Sequence, residues 1–148
     1  MGILAQQSNE LERAEEYFKQ SLALFETLEQ THGIANQHSN LAILARNRKQ
    51  FETSEALHLK AIELYTAENN LNAITIQHTN LGFLYTAWDK QESACEYWAK
   101  SLSGLTGDEN VARRARVSAI VEKDCPQPDI SNEPLADVAP NTETQTNQ

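Results

Sequence analysis

The stretch HSNLAILARNRKQFETSEALHLKA, residues 38–61, is matched forty positions later by HTNLGFLYTAWDKQESACEYWAKS, residues 78–101. The two segments align without a gap, and residue size and polarity agree at many columns. Residues 1–30 continue the same register, as shown by the columns Ala14/Ser54/Ala94 and Phe18/His58/Trp98. A repeat of this length forms one unit of a stacked array, because a single unit cannot bury its own apolar face. The repeat therefore predicts that the fold is a stacked array of similar units.

Each unit contains two amphipathic stretches with apolar residues at helical spacing. Short polar joins at 47–50 and 88–91 suit tight turns between antiparallel helices. The predicted helices are A (34–47), B (51–68), A (73–87) and B (91–105), preceded by the end of a helix A (2–7) and by a helix B (10–30). Between units, Gly33 and the pair Asn69-Asn70 are predicted to accept positive φ past a helix end. The predicted organisation is a partial first repeat (1–30), a second (34–68), a third (73–105), a capping helix (108–123) and a disordered acidic tail (125–148).

Composition excludes several classes of protein. The net charge of −9 argues against nucleic acid and anionic membranes as partners, because phosphate contacts need a cationic surface. No apolar run approaches the roughly 20 residues needed to span a bilayer, and the N-terminus lacks the features of a secretory signal. An acidic, all-α, cytoplasmic protein is expected.

The repeat columns resemble the tetratricopeptide repeat in a longer, 40-residue form. That family places Leu-Gly or Leu-Ala in helix A, here Leu81-Gly82 and Leu41-Ala42, followed by a large residue, here Tyr85. Helix B then carries a small residue, an aromatic four positions on and a second small residue, here Ala94, Trp98 and Ser101. The second unit departs from this pattern at Ala45 and His58. The resemblance covers about residues 1–105 and implies a right-handed α-solenoid of antiparallel helix pairs that binds other proteins without catalysing a reaction.

The resemblance also implies a concave groove lined mainly by the A helices. Asn40 and Asn80 repeat one unit apart, and their amides can both donate and accept hydrogen bonds to a peptide backbone. The alternative is that both amides bond a neighbouring helix and only set the repeat geometry. The predicted peptide-binding residues are Asn36, Asn40, Ile43, Arg46, Asn47, Ile76, Thr79, Asn80 and Phe83. Because Arg46 is the one cation among them, a clamp for a peptide carboxylate is not expected.

A second hypothesis is self-assembly. The helix-A portion at 2–7 is too short to cover helix B, so part of its apolar face (Leu11, Phe18, Leu22 and Phe25) is expected to be exposed. The chain is then expected to be either the C-terminal portion of a longer repeat protein or a homo-oligomer that associates through residues 1–30.

Residues capable of chemistry are sparse. His38 and His78 share a column but lack further ligands, so packing is favoured over a metal site, and no cofactor, metal or catalytic residue is predicted. Cys95 is expected at an exposed or half-exposed helix position and Cys125 at the start of the tail. A disulfide between them is not expected in a reducing cytoplasm. Within the tail, ISNEPLADV (130–138) is a candidate docking motif.

Overall fold

The computed structural model describes residues 2–126, with side chains from residue 7 onward. Six α-helices follow one another: α1 (Gly2–Thr27), α2 (Thr31–Asn47), α3 (Phe51–Ala67), α4 (Leu71–Ala87), α5 (Gln91–Gly104) and α6 (Val111–Asp124), with a short 3-10 helix at Asp108–Asn110 before α6. Each helix packs on the next one in the chain, and the described residues contain no strand. This arrangement confirms the predicted all-α helical-repeat solenoid.

The joins between helices share one geometry. A single residue with positive φ follows each of the first four helices: Glu29, Lys49, Asn69 and Asp89. The next backbone N–H then bonds the carbonyl five residues back, as from Gln50 to Ala45 and from Lys90 to Tyr85. This is the Schellman pattern, which satisfies carbonyls left open at a helix end. The prediction of a positive φ is confirmed at Asn69 and is wrong at Gly33.

Gly33 lies inside α2, which begins at Thr31 and not at residue 34. The glycine is buried, and a Cβ there would collide with the Phe25 ring. Its small size therefore serves the close approach of α1 and α2 rather than a turn. Similarly, α4 begins at Leu71, two residues earlier than predicted, where the Asn70 side chain accepts a hydrogen bond from the Ala73 N–H (3.0 Å).

The predicted break between residues 2–7 and 10–30 is wrong, because α1 is one continuous helix. Ser8 and Asn9, taken as the join, are exposed on this helix. Neither residue blocks helical backbone, and at a solvent-exposed position each costs only some tenths of a kcal/mol in propensity. The first repeat is thus represented by one long helix.

The main buried cluster lies between α4, α5 and α6. It is formed by Leu81, Leu84, Tyr85, Ala94, Trp98, Leu105 and Val117. A smaller cluster of Ala35, Ala61 and Tyr65 joins α2 and α3. The predicted tail begins within the described residues, at Cys125, whereas the motif at 130–138 lies outside them.

Candidate functional site: the groove between α2 and α4

A hollow of about 480 Å³ lies between α2 and α4, the A helices of consecutive units. Amide, hydroxyl and imidazole groups dominate its walls, and none of its lining residues is Lys, Arg, Asp or Glu. Such a surface offers hydrogen bonds in place of ion pairs. The lining residues are His32, Asn36, Gln37, Ser39, Asn40, Tyr65, Asn70, Asn72, Ala73, Ile76 and Gln77.

The amide of Gln77 is held by a buried polar network at the base of the hollow. Its Oε1 atom accepts a hydrogen bond from Ser39 Oγ (3.0 Å) and lies 2.8 Å from His58 Nδ1. Both contacts fall on the oxygen, so they fix the plane of the amide and leave the Nε2 group as its remaining donor. Because Gln77 is itself only 2 % exposed and lines the hollow, this donor is held in one orientation.

The same network defines the state of His58. A carbonyl oxygen can only accept, so Nδ1 carries the proton, and the buried Nε2 atom has no hydrogen-bond partner among the described residues. Burial lowers the pKa of His58 to about 4, although its contact with Gln77 raises the pKa slightly. The imidazole is therefore neutral at neutral pH.

Two further amides of the hollow are partly engaged. Asn36 Oδ1 accepts a hydrogen bond from the Tyr65 hydroxyl, which leaves the Asn36 Nδ2 group as a donor. Asn40 Nδ2 donates to Gln37 Oε1 (3.3 Å), which leaves the Asn40 oxygen as an acceptor. The hollow thus presents several donors and at least one acceptor within one short stretch of groove.

The predicted groove residues divide between two places. Asn36, Asn40 and Ile76 line the hollow between α2 and α4. Asn40 also lines a shallower depression between α1 and α2, together with Ile43 and Asn47. These five residues thus line two separate depressions, one on each side of α2.

The remaining four lie apart from both surfaces. The Thr79 hydroxyl is 2.7 Å from Ser101 Oγ on α5, so it joins α4 to α5. Phe83 is 45 % exposed and packs edge-on against Trp98, with ring centroids 4.7 Å apart. Asn80 and Arg46 are half-buried, and burial lowers the pKa of the Arg46 guanidinium.

Sequence reasoning missed Gln77 and Tyr65 as groove residues. A signal for Gln77 was present, since Gln37 and Gln77 occupy the same repeat column. A polar residue that recurs at one column of the repeat indicates a shared hydrogen-bonding role. Tyr65 gave no such signal, because its column holds Phe25 and Leu105 and is typical of core packing.

A second surface lies on the outer face of α1. Tyr17 and Leu24, two helical turns apart on one face of α1, are 66 % and 57 % exposed, and Leu28, directly after the helix, is 53 % exposed. The residues predicted to be uncovered are instead half-buried, because α2 packs against them: Leu11, Phe18, Leu22 and Phe25. The apolar stripe is thus real, but it is formed by different residues from those predicted.

Within residues 2–126, no helix is long and apolar enough to cross a bilayer. In the same part of the chain, no three His, Cys, Asp or Glu side chains group as a metal site would need.

Consecutive antiparallel helices with a groove between alternate members define a helical-repeat protein. Residues 39–72, which include the whole of α3, match the family model of the tetratricopeptide repeat. This segment therefore resembles a tetratricopeptide repeat, a family whose members generally serve as interaction modules. The match does not decide between the longer, 40-residue form and the standard one. No curated protein and no solved structure matches the chain significantly.

Proposed function

We propose that the chain is a non-catalytic module that binds a peptide segment of another protein in the groove between α2 and α4. The observation that carries the proposal is the fixed amide of Gln77, which faces a hollow bounded by Asn36 and Asn40. A peptide backbone offers alternating C=O and N–H groups, which match neighbouring amide donors and acceptors. Ile76 and Ala73 supply apolar contact at the same wall.

The absence of cations from the lining of this hollow sets the class of ligand. A terminal carboxylate is held by Lys or Arg in a buried or bidentate contact, and this hollow supplies neither. We therefore expect an internal segment of the partner to bind, so that amidating the C-terminus of a bound peptide leaves its affinity almost unchanged.

The test uses a peptide selected from a random display library on the intact chain. Its affinity is then measured by fluorescence anisotropy for the parent protein and for Asn36→Ala combined with Asn40→Ala. Two lost hydrogen bonds at about 1 kcal/mol each predict weaker binding by about tenfold or more. The matched control is Gln20→Ala, which removes an exposed amide from α1, outside this groove.

Equal affinities for the double variant and the parent would reject the groove as the site. A melting temperature close to that of the parent shows that the double variant is folded. If instead the variant melts much earlier, Asn36 and Asn40 serve chiefly to set the repeat geometry, and the proposal fails.

The exposed stripe on α1 favours a second candidate function, which is self-assembly. In the third unit, Tyr97 occupies the column of Tyr17, and its ring lies 5.4 Å from that of Tyr85 on α4. Among the described residues, Tyr17 has no such neighbouring helix. If this face pairs two copies, light scattering will show a mass that rises with concentration, and Leu24→Glu with Leu28→Glu will restore the monomer. A parent protein that stays monomeric throughout the range contradicts this candidate.

A further inference from the structure

The expectation that Cys95 and Cys125 stay apart is wrong, because the structure joins them in a disulfide. The helix α6 folds back along α5, so that its end reaches the first turns of α5. The two Cα atoms are 5.6 Å apart, within the usual range for a disulfide. Beside the bond, Gln91 Nε2 donates to the Asp124 carbonyl (2.9 Å).

The disulfide lies at a repeat column whose residues bond a neighbouring helix in every unit. Residues 15, 55 and 95 share one column of the repeat. Glu15 forms an ion pair with Arg48 at the end of α2, and Glu55 accepts a hydrogen bond from the Tyr85 hydroxyl near the end of α4 (2.7 Å). At the last junction, the same column carries a covalent bond.

The helix that this bond holds is only lightly packed. Val111 stands forty positions after Leu71, so α6 takes the place of a further helix A. Of its residues, Val117 alone is fully buried, while Ile120 and Val121 are half-buried. Near its other end, Arg114 donates to the Leu105 carbonyl (2.7 Å from Nε). A helix with so little buried apolar surface depends strongly on individual bonds to the neighbouring helix to stay docked.

We propose that the Cys95–Cys125 disulfide is a redox-sensitive fastener that keeps α6 docked on α5. Reduction requires a dithiol: one thiolate attacks a sulfur of the bond, and its second thiol resolves the mixed disulfide. The products are two cysteine thiols in this chain and one disulfide in the reductant, a transfer of two electrons and two protons. Once freed, α6 undocks and uncovers the end of the apolar cluster at Leu105 and Trp98.

Alkylation tests whether the bond forms. The full chain is incubated with oxidised glutathione, denatured and treated with iodoacetamide, with and without prior dithiothreitol. Mass spectrometry should show no alkyl group on the oxidised chain and two groups on the reduced chain. Two groups on the chain that has not met dithiothreitol would overturn the proposal.

Amide hydrogen exchange tests whether the bond holds α6. Reduction should speed exchange at residues 117–124 by about tenfold or more, while α2 and α3 keep their rates. Cys95→Ser combined with Cys125→Ser is the matched variant, and it should show fast exchange in α6 with or without dithiothreitol. Unchanged exchange in α6 on reduction of the parent, or an equal increase in α2 and α3, would contradict a local fastener. These readouts need no ligand, so they are independent of the proposal for the groove.

Discussion

His58 occupies a column in which the other B helices carry an aromatic residue, Phe18 or Trp98. This difference in side-chain size is accompanied by a change in the residue on the paired helix A. Ala42 occupies the helix-A column opposite His58, whereas Gly82 occupies that column opposite Trp98. The larger indole requires the smaller partner, because a Cβ at Gly82 would lie 2.6 Å from Trp98 Cδ2. The smaller helix-A residue is thus paired with the larger ring, as a tightly packed interior requires.

We expect Gly82→Ala to destabilise the protein by about 1–3 kcal/mol, because buried Trp98 has no room to shift. The better helix propensity of Ala, about 1 kcal/mol, offsets only part of this loss. Urea unfolding measures the difference. In a Trp98→His background, which copies the second unit, the cost of Gly82→Ala should nearly vanish, and a cost that stays the same would argue against the matched pair.

The buried imidazole of His58 makes stability depend on pH. Its pKa is lowered to about 4 in the folded state, so between about pH 6.5 and 4 the unfolded chain binds the proton more readily. Stability is therefore complete above about pH 7 and is lost as the pH falls through this window. Burial lowers the pKa values of His38 and His78 as well, which adds to the same trend.

We expect the free energy of unfolding to fall by about 2 kcal/mol from His58 alone between about pH 7.5 and pH 5. Urea titrations at both pH values measure this change. His58→Gln keeps a hydrogen-bonding group but does not titrate, so its stability should depend less steeply on pH. Parallel pH profiles for the parent and the variant would show that His58 is not the group responsible.

At the scale of elements, the joins between helices carry a recurring strain. Glu29, Lys49 and Asp89 hold the left-handed conformation at φ values of 53°, 59° and 59°. Glycine adopts this conformation without steric cost, and asparagine tolerates it better than lysine or glutamate does. The chain thus repeats a turn geometry that suits the side chains of Asn69 and Asp89 better than those of Glu29 and Lys49.

Lys49→Gly should therefore stabilise the protein by about 0.5–1 kcal/mol, since relief of the left-handed strain exceeds the added entropy of the unfolded chain. Asn69→Gly should give a smaller gain. Lys49→Ala serves as the control, because it removes the same side chain without relieving the backbone. Thermal or urea unfolding of the three variants checks the order, and a gain from Lys49→Ala equal to that from Lys49→Gly would refute the strain.

The repeat register predicted the order of helices and their pairing, because many columns that agree in size and polarity carry more information than any single propensity. It did not locate every boundary. Ser8-Asn9 resembles a join yet continues α1, and Gly33 resembles a stop yet packs under Phe25. In both places the local composition is compatible with either a helix or a turn, and contacts with the neighbouring helix decide which one forms.

The groove was harder to predict than the fold. Projection onto an ideal helix placed Asn36, Asn40 and Ile76 together, but it could not show that Thr79 turns towards Ser101 or that Gln77 is fixed by Ser39 and His58. These choices depend on rotamers and on partners from three different helices. Likewise, the Cys95–Cys125 bond follows from the path of α6, which the number of residues between the cysteines does not specify.

For the whole molecule, an acidic solenoid with a net charge of −9 presents two separate surfaces, the amide-rich groove and the apolar stripe on α1. Binding in the groove needs no change in the assembly, whereas the stripe can be covered only by another helix or chain. The two proposed functions therefore predict different contact residues: those of the groove for peptide binding and those of the α1 stripe for self-assembly.

The most direct test is a proton–nitrogen correlation spectrum of the intact chain, recorded while the selected peptide is added. We expect the largest shifts on the side-chain amides of Asn36, Asn40 and Gln77 and on the backbone of α2 and α4 around them. Tyr17, Leu24 and Leu28 should stay unchanged. Shifts confined to α1, with none at these three amides, would contradict the groove as the site where this protein binds its partner.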